Sequence, residues 1–272
     1  VSRIDDIFAT LRPVGYKAIM PFVCAGHPKP GQLAPILRAA EQAGCAIAEI
    51  GIPFSDPIAD GPVIAAAMHE ALQAGVTPAS VFEEVKALRP TTGLGLIAMV
   101  SVSIVHRMGG PDAFATKAKD AGFDGLIVPD APLEESGALR NACKAKDLAF
   151  SLMIAPTTPP PRAEEIARQS LGFIYLLART GITGEQQSVP DIGPRVAALR
   201  AITSLPIACG FGISTAEHVA AVVKHADAAI VGSALVRRLS EASKHGRPIP
   251  KEAGDFLANL AQGLSTQGTA RV

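Results

Sequence analysis

The chain has 272 residues, 25 Lys+Arg against 25 Asp+Glu, and 48% hydrophobic residues, which fits one large soluble α/β domain spanning 1–272 better than two small ones. A net charge of zero, no basic run and only 4% aromatic residues argue against nucleic acid or a membrane surface as the main partner. Four cysteines, Cys24, Cys45, Cys143 and Cys209, form no Cys-x-x-Cys or Cys/His cluster, so they read as reduced packing residues of a cytoplasmic enzyme.

The first segment, "VSRIDDIFATLR", places Ile4, Ile7, Phe8 and Leu11 at helical spacing with acids between them. It reads as an amphipathic helix, not a signal peptide, and no later segment is long enough to span a bilayer. Short β-rich runs then alternate with alanine-rich helical patterns. "AIMPFVCAG" precedes "PGQLAPILRAAEQAG"; "AIAEIGI" precedes "VIAAAMHEALQAG" and "PASVFEEVKALRP"; "GLGLIAMVSV" precedes "DAFATKAKDAG". "GLIVPD" leads to "EESGALRNACKAK", "FSLMIAP" to "PRAEEIARQ", and "GFIYLLA" to "GPRVAALRAI". "PIACGFG" leads to "STAEHVAAVVKH" and "AAIVGSA" to "ALVRRLSEAS". The last pattern, "KEAGDFLANLAQGL", is an addition like the leading helix, covering a barrel end or flank, and the polar tail from Ser265 is expected to be disordered.

Eight βα units in this length match a (β/α)8 TIM barrel with an extra N-terminal helix, which takes roughly 250 residues. A doubly wound open sheet is the alternative. No strand runs into a Gly-x-Gly-x-x-Gly turn, so its dinucleotide-binding version has no support. In a barrel, residues at strand C-termini and in the loops after them face the active-site mouth.

Glu49 stands near the end of the second strand and shares a face with Ile47 and Gly51. A buried ionised carboxylate is costly. Glu49 is therefore either paired to a Lys or Arg inside the barrel, or a proton donor and acceptor whose pKa is raised by apolar neighbours. Asp60, before "GP" and a helical run, is a capping acid or a second functional carboxylate. Asp56, between Ser55 and Pro57, sits in a stiff surface turn. Asp130 ends the fourth strand, where it faces the mouth or caps the following helix. Gly212 in "GFGIS" and Gly232 and Ser233 in "VGSAL" follow strands seven and eight, where barrels bind phosphate through backbone amides and a helix N-terminus. The polar segment from Ala178 to Val189 is a candidate lid. The six histidines make no metal-binding spacing, and the role of His27, after strand one, stays open.

"EIGIPFSDPIADGP" closely resembles a signature of the tryptophan synthase alpha chain family. "APTTP", "YLLARTGITGE", "GFGIS" and "VGSA" match that family in the same order over essentially the whole chain. The resemblance implies a (β/α)8 barrel that cleaves indole-3-glycerol phosphate to indole and glyceraldehyde 3-phosphate. It implies a beta chain as partner in an alpha2beta2 tetramer, with pyridoxal phosphate in that beta chain and no cofactor in this one. By the same resemblance Glu49 is the general acid/base and Asp60 accepts the indole N–H. Gly184, Gly212, Gly232 and Ser233 match the phosphate site; Phe22, Ile127, Tyr175, Thr183 and Phe211 match the indole pocket and lid; Asp56 and Pro57 match the segment that meets the beta chain. The chain departs from the family at Ser101, Val102, Ser103 and Ile104, where members often carry an aromatic pair and an asparagine, and at Ala48 and His27.

Overall fold

In a computed structural model of the chain, residues 1–57, 60–179, 190–210 and 212–267 are described. The strands are β1 (Ala18–Cys24), β2 (Ile47–Gly51), β3 (Gly95–Met99), β4 (Gly125–Ile127), β5 (Ala149–Phe150), β6 (Met153–Ile154), β7 (Ile174–Leu177), β8 (Ile207–Gly210) and β9 (Ala228–Val231). All pair in parallel, in the order β5-β4-β3-β2-β1-β9-β8-β7-β6. The two ends of that order are halves of one run. Between β5 and β6, Ser151 N–H donates to the Leu126 carbonyl and the Leu152 carbonyl accepts from Tyr175 N–H, both at 3.1 Å. The ring is thereby closed from eight chain passages, the expected barrel, and the fifth passage "FSLMIAP" is interrupted at Ser151–Leu152.

The helices are α1 (Arg3–Leu11), α2 (Leu33–Gln42), α3 (Pro62–Gln73), α4 (Pro78–Leu88), α5 (Val102–Arg107), α6 (Gly110–Ala121), α7 (Gly137–Ala145), α8 (Pro160–Gln169), α9 (Gly193–Arg200), α10 (Ala216–Val223), α11 (Ser233–Lys244) and α12 (Ile249–Ala261). Their starts follow local chemistry. Ser2 and Asp5 form a reciprocal capping box on α1, Thr77 caps α4 just before Pro78, and Thr215 caps α10.

Period-two alternation sorts the strand side chains into two layers. Ile19, Ala48, Ile50, Leu96 and Ala98 pack outward under the helices. Met20, Ile47, Ile97, Ile127, Tyr175, Ala208 and Ile230 fill the barrel, joined from below by Ile4 and Phe8 of α1. The leading helix is thus a plug for the N-terminal end. Phe8 lies against Phe173 at 6.2 Å between ring centroids, and burying such a side chain stabilises by about 2–3 kcal/mol. Gly95 leaves room for the plug, since a Cβ there would stand 2.6 Å from Ile4 Cδ1. At the other addition, α12 packs on α2, α10 and α11. The backbone then continues as a 3-10 helix, Gln262–Gln267, into the segment expected to be disordered.

Two aspartates clamp the N-terminal ends of the strands. Asp124, just before β4, accepts from Leu96 N–H and from Arg89, each at 2.9 Å, with Arg3 at 3.6 Å. Asp227, just before β9, accepts from Ile207 N–H at 2.8 Å and from Arg200, with Arg12 at 3.6 Å. Each clamp joins a strand start, the preceding helix and a cation from the plug segment.

Candidate active site

Glu49 lies on the barrel face of β2, directly in register with Phe22 of β1 and Ile97 of β3. It is 0% exposed, and neither carboxyl oxygen has a hydrogen-bond partner. Among the described residues no Lys or Arg forms the ion pair that the sequence left open. Burial alone pushes the carboxyl up to about 8, so the group holds its proton at neutral pH, as an acid stripped of water and of counter-charge must. The space around it is created by small neighbours. A Cβ on Gly51 would meet the Phe22 ring at 2.4 Å, and one on Gly210 would meet the Tyr175 hydroxyl at 2.9 Å. Tyr175, buried in the barrel, has its phenol pushed well up by burial and then by the charges of Glu49, Cys209 and Asp60.

A cavity of about 290 Å³ opens over the ends of β2, β3 and β4. Its lining includes Phe54, Met68, Met99, Val100 and Pro129, with Ser55, Asp56, Asp60, Ser101, Ser103 and Asp130 as polar members. Asp60 stands just before Gly61, the residue capping α3, with its N–H bonded to the Pro57 carbonyl at 3.0 Å. Burial raises its carboxyl to about 6, which leaves it mostly ionised at pH 7. Two carboxyls of the same site therefore hold opposite protonation states. Phe22, Glu49, Ile127 and Tyr175 do not line this cavity: Ile127 and Tyr175 belong to the barrel interior, and Phe22 packs with Ile64, Met68 and Val236 over it.

Asp130 both faces the mouth and caps a helix, but the helix precedes it in sequence. Its Oδ1 accepts from Val102 N–H at 2.8 Å and its Oδ2 from Ser101 Oγ at 2.7 Å, at the start of α5. On the opposite side, Gly212 adopts φ +84°, a conformation that favours glycine. Gly232 precedes α11, whose first residue, Ser233, is buried at the helix N-terminus. Asp56 is exposed beside Pro57 and accepts from Ser55 Oγ at 2.5 Å. Thr183, Gly184 and Phe211, and all of the candidate lid beyond Arg179, lie outside the described residues.

His27 is 3% exposed in the loop after β1. Its Nε2 is 2.8 Å from Ser240 Oγ on α11, and its Nδ1 is 3.1 Å from a Glu70 carboxylate oxygen on α3 without a well-directed hydrogen bond. Burial lowers its pKa while Glu70 pulls the other way. Sequence reasoning missed the cavity wall of Met68, Met99, Val100 and Pro129, because nothing local marks which apolar residues of a helix and two strand ends converge. Among the described residues, no group of three or more His, Cys, Asp or Glu is placed to hold a metal ion, and no helix is long and apolar enough to cross a membrane.

A closed β/α barrel with a proton-holding glutamate inside its mouth and an ionised aspartate on the cavity wall defines an enzyme of the acid–base type. A sequence model described as tryptophan synthase alpha chain matches residues 8–263. The chain is 38% identical over 265 residues to the tryptophan synthase alpha chain of Alkalilimnicola ehrlichii, covering 97% of each protein. It is 42% identical over 270 residues to that of Rippkaea orientalis, covering 97% of this chain and 98% of the relative. Among solved structures, tryptophan synthase subunit alpha of Legionella pneumophila superposes with a TM-score of 0.89 at 30% identity, covering 98% of this chain and 99% of the other. A structure of Mycobacterium tuberculosis tryptophan synthase superposes with a TM-score of 0.88 at 30% identity, covering 97% and 98%. The chain belongs to the tryptophan synthase alpha chain family. It is accordingly a carbon–carbon lyase of tryptophan biosynthesis that cleaves indole-3-glycerol phosphate.

Proposed function

We propose that Glu49 is the general acid and base of this cleavage and that Asp60 stabilises the charged ring. Glu49, protonated in its apolar setting, gives its proton to the ring carbon that bears the glycerol chain. Positive charge then appears on the ring nitrogen, whose N–H donates to the Asp60 carboxylate. The glutamate, now ionised in a site that disfavours its charge, takes the proton of the adjacent side-chain hydroxyl. The carbon–carbon bond breaks, its electron pair returns to the ring as indole, and the former carbinol becomes the aldehyde of glyceraldehyde 3-phosphate. Glu49 ends protonated, ready for the next turnover, so one group with a pKa near the working pH serves both steps.

Gly212, Gly232 and Ser233, with Gly184, would hold the phosphate through amides, a hydroxyl and the N-terminus of α11. Phe22, Ile127, Tyr175, Thr183 and Phe211 would enclose the indole. The beta chain, carrying pyridoxal phosphate, would dock against the exposed Asp56–Pro57 rim in an alpha2beta2 assembly in the cytoplasm. The whole of 1–272 would act as one barrel domain, with no cofactor of its own. The observation that carries these roles is the unpartnered Glu49 carboxyl inside the barrel. Purified protein given indole-3-glycerol phosphate should release indole, and Glu49→Gln should abolish this with the circular dichroism spectrum unchanged. Substantial turnover by that variant would overturn the assignment.

A further inference from the structure

Ser101 and Ser103, from the segment expected to depart from the family, form a wall of the cavity together with Asp130. Its hydrogens can be counted. Ser101, 4% exposed, spends its one hydroxyl hydrogen on Asp130 Oδ2 at 2.7 Å. The 2.8 Å contact between the Ser101 and Ser103 hydroxyls therefore runs from Ser103 as donor. Ser103 N–H also donates to Ser101 Oγ at 3.2 Å. With its hydrogen used, the Ser103 oxygen has only lone pairs left. Asp130 has accepted from Ser101 and Val102 N–H and keeps its remaining lone pairs. This wall consequently offers acceptors and no hydroxyl donor. Asp60 is also an acceptor and lines the same cavity. Apart from Ser55, whose hydroxyl donates to Asp56, and Asp56 itself, the rest of the lining is apolar: Phe54, Met68, Met99, Val100 and Pro129.

A largely apolar chamber with acceptors from Asp60 and from the Ser103–Asp130 wall suits a flat ring that carries donors on separate edges. We infer that Ser103 and Asp130 are specificity determinants that favour indole rings carrying a hydrogen-bond donor, an amino or hydroxyl group, on the carbocyclic edge remote from the ring N–H. This rests on the reading that Asp60 takes the indole N–H, with the ring held over Glu49 in the barrel mouth and its remote edge extending into this cavity. Plain indole leaves the Ser103–Asp130 wall to water, whereas a donor on the far edge pairs with it.

The test compares 5-aminoindole and 6-aminoindole with the corresponding methylindoles, near-isosteres that differ in donor capacity, by titration calorimetry against the whole chain at pH 7.5. At one or both ring positions the amino compound should bind about tenfold tighter than its methyl partner, the scale of one hydrogen bond to a charged acceptor. Ser103→Ala and Asp130→Asn should each bring the ratio toward one; Ser103→Ala leaves the Asp130 cap of α5 in place and so guards against a folding defect. Methyl binding as tight as amino at both positions, or a preference that survives both substitutions, overturns the inference. Indole release from indole-3-glycerol phosphate by the wild type is read separately. Release without an amino preference sinks this inference alone, and an amino preference without release sinks the catalytic reading alone.

Discussion

Replacing Glu49 by glutamine should make the protein more stable while abolishing turnover, and the gain should depend on pH. Burial raises the carboxyl from its ordinary 4.5 to about 8. Between those pH values the folded chain binds a proton that the unfolded chain has released, so wild-type stability falls as pH rises. The slope is up to 1.36 kcal/mol per pH step of one, which gives about 3 kcal/mol lost by pH 7 and about 5 kcal/mol by pH 8. Glutamine occupies nearly the same volume, carries no charge and has no such slope. Near pH 4.5 the two proteins should unfold within about 1 kcal/mol of each other, and at pH 7 the variant should be ahead by about 3 kcal/mol, roughly 6–12 °C in Tm. Asp60 titrates in both and cancels from the difference. Guanidinium unfolding at pH 5, 7 and 8.5, beside an indole-release assay, provides the measurement. A stability difference that stays flat across these pH values would show that Glu49 is not held neutral by burial, and the argument for its role would go with it.

The same two carboxyls set a pH–rate profile. The rate from free enzyme should climb through about pH 6 as Asp60 ionises and decline through about pH 8 as Glu49 loses its proton, and a profile flat from 5 to 9 would contradict the assignment. Asp60→Asn should lower kcat/KM by about 10²-fold and remove the acidic limb, which stopped-flow or end-point indole assays across pH would read. Phe8→Ala should cost about 3–5 kcal/mol in urea unfolding through loss of the plug beneath the barrel, with KM for the substrate little changed below the unfolding temperature.

Glu49 was legible because a carboxylate inside "AIAEIGI" contradicts its surroundings, and such contradictions mark function. The placement of Gly212 and Gly232 after β8 and β9 was legible because glycine-bearing turns close both strand patterns, and the phosphate role proposed for them follows from that placement. The bond from Asp130 to Ser101 was not, because it joins loops of neighbouring units and no local pattern records it. The break in the fifth passage was equally hidden, since "FSLMIAP" is apolar throughout. The clamps at Asp124 and Asp227 did carry a signal that went unread: an aspartate immediately before a strand, in "GFDGL" and again in "HADAA", with an arginine at the end of the helix one βα unit earlier, in "KALRP" and "AALRA".

Those clamps bear on how the chain is made. Arg3 and Arg12 lie at the two ends of a helix that is synthesised more than 200 residues before Asp227 and the strand that it introduces. The apolar face of Ile4 and Phe8 has no barrel to enter until the later strands exist, and a nascent chain grows by only about 5–20 residues per second. Until those strands exist this face must therefore stay solvent-exposed or be shielded by a chaperone, and α1 finds its place only after segments made long after it.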